Sequence, residues 1–194
     1  MGVCLLAYSI STENLGRVRA DPPLVWRVLD GDDDTNYLKQ LASDSKHSLI
    51  QRLFGKRQTL PTPQSIRFSE GERRALDVDK SWDGLRACIR YCAPQAPDMF
   101  AGDGKIGNFE VGYGHALYVR SETMSALDAA LKDITEVQLL QALQSVNFKG
   151  VYLENLWSRN SGDATAYLLE NYRDLQAFVR HCAAHQHGAI LQFT

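Results

Sequence analysis

The chain has 194 residues, 44% of them hydrophobic and 23% charged, with a formal net charge of −2. That length suits one domain over residues 1–194, burying roughly 70% of its unfolded-chain surface. The acidic balance argues against a nucleic-acid-binding domain, because phosphate contacts need a basic face.

Met1 to Tyr8 lacks the basic and apolar regions of a signal peptide. Leu6 stands where a myristoylation signal would carry serine. No apolar run is long enough to span a bilayer. Cys4, Cys88, Cys92 and Cys182 form no C-x-x-C pair, as expected of reduced, buried thiols in a cytoplasmic protein.

Val3 to Ile10 reads as a strand apolar on both faces, which suits a central position between helices. Ser11 is placed to cap a helix reaching Arg19, and Asp21-Pro22-Pro23 to start another, with Asp21 as cap and Leu24, Val25, Val28 and Leu29 as its apolar face. Asp30-Gly31-Asp32-Asp33-Asp34 fails as a calcium loop, since Thr35 and Leu41 occupy the positions that need Gly and Glu. It reads as a solvated loop preceding a helix from Tyr37 to Phe54. Residues 55–69, with Pro61 and Pro63, read as an exposed, flexible connection. The basic group Lys46, Arg52, Lys56, Arg57, Arg67, Arg73 and Arg74 reads as a solvated helix and loop.

From Glu70 the pattern is helical, and Val78, Trp82, Leu85 and Ile89 share one helix face, ending before Ala93-Pro94. Gly102 to Gly107 is turn-rich, and Ala116 to Val119 is a strand. Ser121 should cap a helix from Glu122 to Lys132, and a shorter helix should run from Glu136 to Ser145 behind Thr135. Lys149 to Trp157 reads as an irregular aromatic connection. The longest helix should run from Asp163 to about His185, ended by Gly188, before a last strand from Ala189 to Phe193.

Leu76-Asp77-Val78-Asp79-Lys80-Ser81-Trp82, Gly112-Tyr113-Gly114 and Gly150-Val151-Tyr152 are the distinctive motifs. Through them the chain resembles the YfbM-like family (DUF1877), a bacterial domain of unknown function, over nearly its whole length. It departs from that family at Arg86, where the family has histidine, and at His115 and Leu153, where it has proline. The resemblance implies an α/β fold, a three-layer α/β/α sandwich with a mixed central sheet, and no particular reaction.

Asp77, Asp79 and Lys80 have the residue types of an acid/base cluster, but aspartates at a helix start more often accept backbone amides. Gly112-Tyr113-Gly114 lacks the longer dinucleotide fingerprint and reads as a turn into a strand. His181, His185 and His187 are the best metal candidates, yet histidines at a helix C-terminus also suit its negative end. No metal or cofactor is therefore expected. The expected function is contact with a protein partner, without catalysis, in the manner of an immunity protein or antitoxin. The alternative is a small-molecule-binding protein or enzyme with a cleft near Asp79, Lys80, Trp82 and Tyr113. The candidate residues for either are Asp77, Asp79, Lys80, Trp82, Tyr113, His115 and Tyr152.

Overall fold

The computed structural model describes residues 2–47, 63–159 and 161–194, without the side chains of residues 44–47. Its strands are β1 (Leu5–Ser11), β2 (Ala75–Asp77), β3 (Gly104–Lys105), β4 (Leu117–Val119) and β5 (His187–Phe193). They form one sheet in the order β2-β1-β5-β4-β3, and every pairing is antiparallel. The α/β class holds, but the expected mixed sheet does not. The last helix delivers the chain beside the end of β1, where His187 pairs with Ser11, so β5 runs back along β1 to pair Phe193 with Leu5. A parallel neighbour would instead need a crossover to the far end.

The helices are α1 (Thr12–Ala20), α2 (Val25–Leu29), α3 (Thr35–His47), α4 (Trp82–Cys92), α5 (Ser121–Lys132), α6 (Glu136–Ser145), α7 (Glu154–Ser158) and α8 (Gly162–His185). Alternation along β1 sends Leu5 and Ala7 into one core with Ala189 and Leu191 of β5, against Leu85, Leu127, Leu168, Leu175 and Phe178 from the helices. Ile10 and Ile190 enter a second core with Leu15, Val18, Leu24, Val25, Val28 and Tyr37. Both faces of the central strands are therefore buried, as their apolar composition requires.

Several local signals act as expected. The Ser11 side chain accepts from the Asn14 amide at the start of α1, and Thr135 with Gln138 closes a reciprocal capping box on α6. Others are replaced. Asp21 makes no side-chain cap, because a 3-10 turn, Pro22–Leu24, precedes α2. Arg120, not Ser121, is the cap residue of α5. Asp103 supplies the missing acceptor from across the sheet, taking the Arg120 amide at 2.7 Å and the Thr123 hydroxyl at 2.9 Å.

The left-handed residue ending α8 is Gln186, with φ 55°. Gly188 stands in β5 opposite Ile10, where a β-carbon would collide with the Val119 carbonyl. The helix expected from Glu70 begins only at Trp82. The segment before it forms β2, in which Leu76 is buried between exposed Ala75 and Asp77. Pairing with β1 imposes this period of two on a stretch whose helical period came partly from Val78.

The aspartate loop is more tied down than a solvated loop would be. Asp30 accepts from Asn36 at 2.9 Å, Asp33 accepts from the Thr35 amide at 2.8 Å, and Asp34 pairs with Arg27. The expected end of the following helix at Phe54 and the connection as far as residue 62 lie outside the described residues, as do Arg52, Lys56 and Arg57. Farther on, Ile66 and Phe68 pack on the second core between exposed Ser65, Arg67 and Ser69. The connection from Lys149 contains a short helix, α7.

Candidate functional site

The chain enters β1 through Val3 and Cys4, and five of the seven candidate residues gather around that entry. Asp77 accepts the Asp79 amide on Oδ1 at 2.7 Å, opening the 3-10 turn Asp79–Ser81 that leads into α4. The aspartates accept amides here as expected, but neither caps α4: the cap positions of the 3-10 turn and of α4 are Val78 and Ser81, without side-chain caps. Asp79 has φ 45°, a left-handed conformation that aspartate adopts more readily than most residues. The turn places its carboxylate between two donors: Cys4 Sγ at 3.0 Å from Oδ1 and the Tyr167 hydroxyl at 2.8 Å from Oδ2. The same Tyr167 oxygen accepts the Lys80 amide at 3.1 Å.

Trp82 and Tyr152 hold the incoming chain from the other side. The Trp82 indole donates to the Val3 carbonyl at 3.1 Å, and the Val3 amide donates to the Tyr152 hydroxyl at 2.8 Å. Their rings stack with centroids 6.0 Å apart, while Phe193 meets Trp82 edge-on at 5.1 Å. Asp83 fixes the backbone of Tyr152 by accepting its amide at 2.8 Å. Fully buried Trp157 donates to the Tyr152 carbonyl at 2.7 Å and stacks on Tyr167 at 6.1 Å. The residues form one connected clamp on the first strand.

Protonation follows from these bonds. The Cys4 thiol holds the Asp79 carboxyl below its ordinary value, against the opposing effect of partial burial and with help from Tyr167. In return, the bond to Asp79 raises the Cys4 thiol, and burial followed by Asp79 raises the Tyr167 phenol. Near neutral pH the clamp therefore holds a carboxylate, a thiol and a phenol. A thiolate nucleophile needs surroundings that lower its pKa, and around Cys4 the bond to Asp79 and burial outweigh the opposing charge of Lys80. Both Asp79 oxygens are occupied, so the geometry suits a structural clamp better than acid/base chemistry.

Tyr113 and His115 lie apart from this network. The turn from Val111 to Gly114 is closed by the Val111 amide on the Gly114 carbonyl at 2.9 Å and is pinned to β5. The pins are the Tyr113 amide on the Phe193 carbonyl at 2.7 Å and the Gln192 amide group on the Val111 carbonyl at 2.5 Å. Tyr113 is 56% exposed at the tip of that turn. His115 Nδ1 instead bonds the Phe109 carbonyl at 2.8 Å. Sequence reading missed Cys4, Asp83 and Tyr167. Tyr167 lies next to Leu168 on the apolar stripe of α8, a spacing that places it toward the core, but nothing in the sequence points Cys4 at Asp79.

Among the described residues, no group of three or more histidine, cysteine or acidic side chains is placed to hold a metal ion, and no helix is long and apolar enough to cross a membrane. All four cysteines are free thiols.

No curated protein matches the chain. Among solved structures it is similar to YfbM from Escherichia coli, described as a protein of unknown function, at 15% identity and a TM-score of 0.47. That similarity covers 98% of this chain and 99% of the other. The profile of the family described as a domain of unknown function (DUF1877) matches residues 1–192, and the chain belongs to that family.

Proposed function

We propose that this protein acts by binding another protein in the bacterial cytoplasm, in the manner of an immunity protein or antitoxin, with Tyr113 as an anchor of the contact. We also read its two buried sheet faces as a three-layer arrangement that holds the Tyr113 turn on a rigid scaffold. The observation that carries the proposal is the presentation of Tyr113: a ring 56% exposed on a turn fixed to β5 by two hydrogen bonds. A preordered tyrosine loses little freedom on binding, and such residues dominate the energy of many interfaces. The internal bonding of the Asp79 clamp supports the same choice, since each carboxylate oxygen is already engaged by a side chain of the protein.

The test is affinity capture from extracts of the native cell with the parent, Tyr113→Ala and Val137→Ala, the last altering another exposed apolar side chain. A specific partner should be recovered with the parent and with Val137→Ala, and at least about tenfold less with Tyr113→Ala, the loss expected for an interface anchor. All three proteins should melt alike. Recovery of no Tyr113-dependent protein, or retention of a stoichiometric small molecule in native mass spectrometry, would contradict the proposal.

A further inference from the structure

His181 and His185 lie one turn apart at the end of α8, and His187 follows as the first residue of β5. Their ring centroids are 4.2, 5.5 and 6.2 Å apart. His187 is 5% exposed, and its Nδ1 has no hydrogen-bond partner. A neutral imidazole tolerates this burial far better than an imidazolium, which must lose water to stay there.

The trio faces the turn from Ser69 to Arg73. His181 Nε2 bonds the Gly71 carbonyl at 2.7 Å, which also accepts the Ser9 hydroxyl at 2.8 Å. Gly71 has φ 82°, and a β-carbon there would stand 2.9 Å from His185 Cδ2 and 3.3 Å from His181 Cε1, so only glycine lets the turn lie flat on the rings. Next to it, Glu72 accepts the Ser11 amide at 2.7 Å, the Ser69 amide at 2.6 Å and the Asn14 side chain at 2.9 Å. Glu72, Asn14 and Ser69, with Glu13, Arg17 and Arg67, line a polar cleft of about 420 Å³. The turn is thus one wall of a cleft and is seated on three imidazoles.

We propose that buried His187, packed against His181 and His185, is an acid-sensitive latch: as pH falls, protonation at its unpartnered Nδ1 releases the Ser69–Arg73 turn and opens the wall of the polar cleft. The charged groups around the trio set its sense. Glu72 faces it from the turn and favours the cation, Arg74 lies near Cys182 on the adjoining strand approach, and Arg120 adjoins Gly188 while paired with Asp103. β1 and α1 bond to the turn through the uncharged Ser9, Ser11 and Asn14, and α1 adds Glu13 and Arg17 on the cleft side of the turn. Burial lowers the pKa of His187 and outweighs the opposing effects of Glu72 and of a bond to the Gly71 backbone, while His185 and His181 reinforce it. Because the closed-state pKa lies below that of the open state, the closed turn is fully stabilised above about pH 6.5 and loses stability as pH falls.

Amide hydrogen exchange at pH 7.5 and 5.5, corrected for the intrinsic chemical rate, tests the latch. Protection at Ser11, Ser69, Glu72 and Arg73 should fall by up to about tenfold per pH unit for the one proton coupled through His187, while Ala7 and Leu191 in the sheet stay protected. In His187→Phe, or in His187→Gln if the first variant does not fold, the change at the four turn amides should shrink to less than about twofold, as expected once the coupled proton is gone. Equal protection of the turn at both pH values in the parent would overturn the proposal. So would an undiminished acid response in the folded variant.

Discussion

The two ends of the β1–β5 pair hold their ionisable groups in opposite ways. At the end where β1 begins, each carboxylate oxygen of half-buried Asp79 accepts one bond, from Cys4 and from Tyr167, and each donor is held in its neutral form. At the end where β5 begins, buried His187 leaves Nδ1 unpartnered beside two further imidazoles. A carboxylate bonded on both oxygens by neutral donors keeps one protonation state near neutrality, whereas a buried imidazole with an unpartnered nitrogen responds to small changes in pH. The contrast separates a clamp, insensitive to pH near neutrality, from a latch that is sensitive to it.

The largest expected effect comes from removing the support beneath the clamp. Trp157→Ala takes away a fully buried ring that stacks on Tyr167 and donates to Tyr152. It should cost about 3–5 kcal/mol in denaturant unfolding, and a loss below about 1 kcal/mol would show that the ring is not integral to the clamp.

Glu72→Gln should cost less, about 1–3 kcal/mol at pH 7, because it replaces an acceptor of several amide donors with a group that is half donor. Partial burial pushes the Glu72 carboxyl up, but the combined bonds from Ser69, Ser11 and Asn14 overcome it and bring the pKa from 4.5 to about 2. A carboxylate with a depressed folded-state pKa stabilises the fold above pH 4.5 and loses that contribution as pH falls toward about 2. Urea titrations across this range should therefore show a shallower acid limb in Glu72→Gln than in the parent. An unchanged limb would place the acid sensitivity elsewhere.

Asp34→Asn should have the smallest effect, below about 1 kcal/mol, since its ion pair with Arg27 is half exposed on the Asp34 side. Arg27 also keeps its place over the Tyr37 ring, 4.4 Å from the centroid. A larger loss in thermal melting would make the aspartate loop an essential part of the second core.

What was legible in the sequence was local. The two apolar faces of β1, the Ser11 cap, the Thr135 capping box and the buried Leu24, Val25, Val28 and Leu29 each depend on neighbours a few residues away. What was not legible was set by distant partners. β2 is extended because it pairs with β1, and Asp103 serves α5 from another segment. The gathering of Asp77, Asp79, Lys80, Trp82 and Tyr152 is foreshadowed by motif, but their chemistry depends on Cys4 and Tyr167, 75 and 88 residues from Asp79. Gly188 does not terminate the helix, because close packing on the Val119 carbonyl, not a turn, calls for glycine there.

The measurement that bears most directly on the clamp is a double-mutant cycle of Asp79→Asn and Tyr167→Phe, followed by denaturant unfolding at pH 7. Asparagine keeps a side chain compatible with the left-handed backbone at position 79, and phenylalanine keeps the ring against Trp157. If the two side chains stabilise the fold through one bond, the single changes should each cost about 1–3 kcal/mol. The double change should then fall short of their sum by about 1 kcal/mol or more. Costs that add to within about 0.3 kcal/mol would mean that the carboxylate and the phenol act independently, and the clamp would be contradicted.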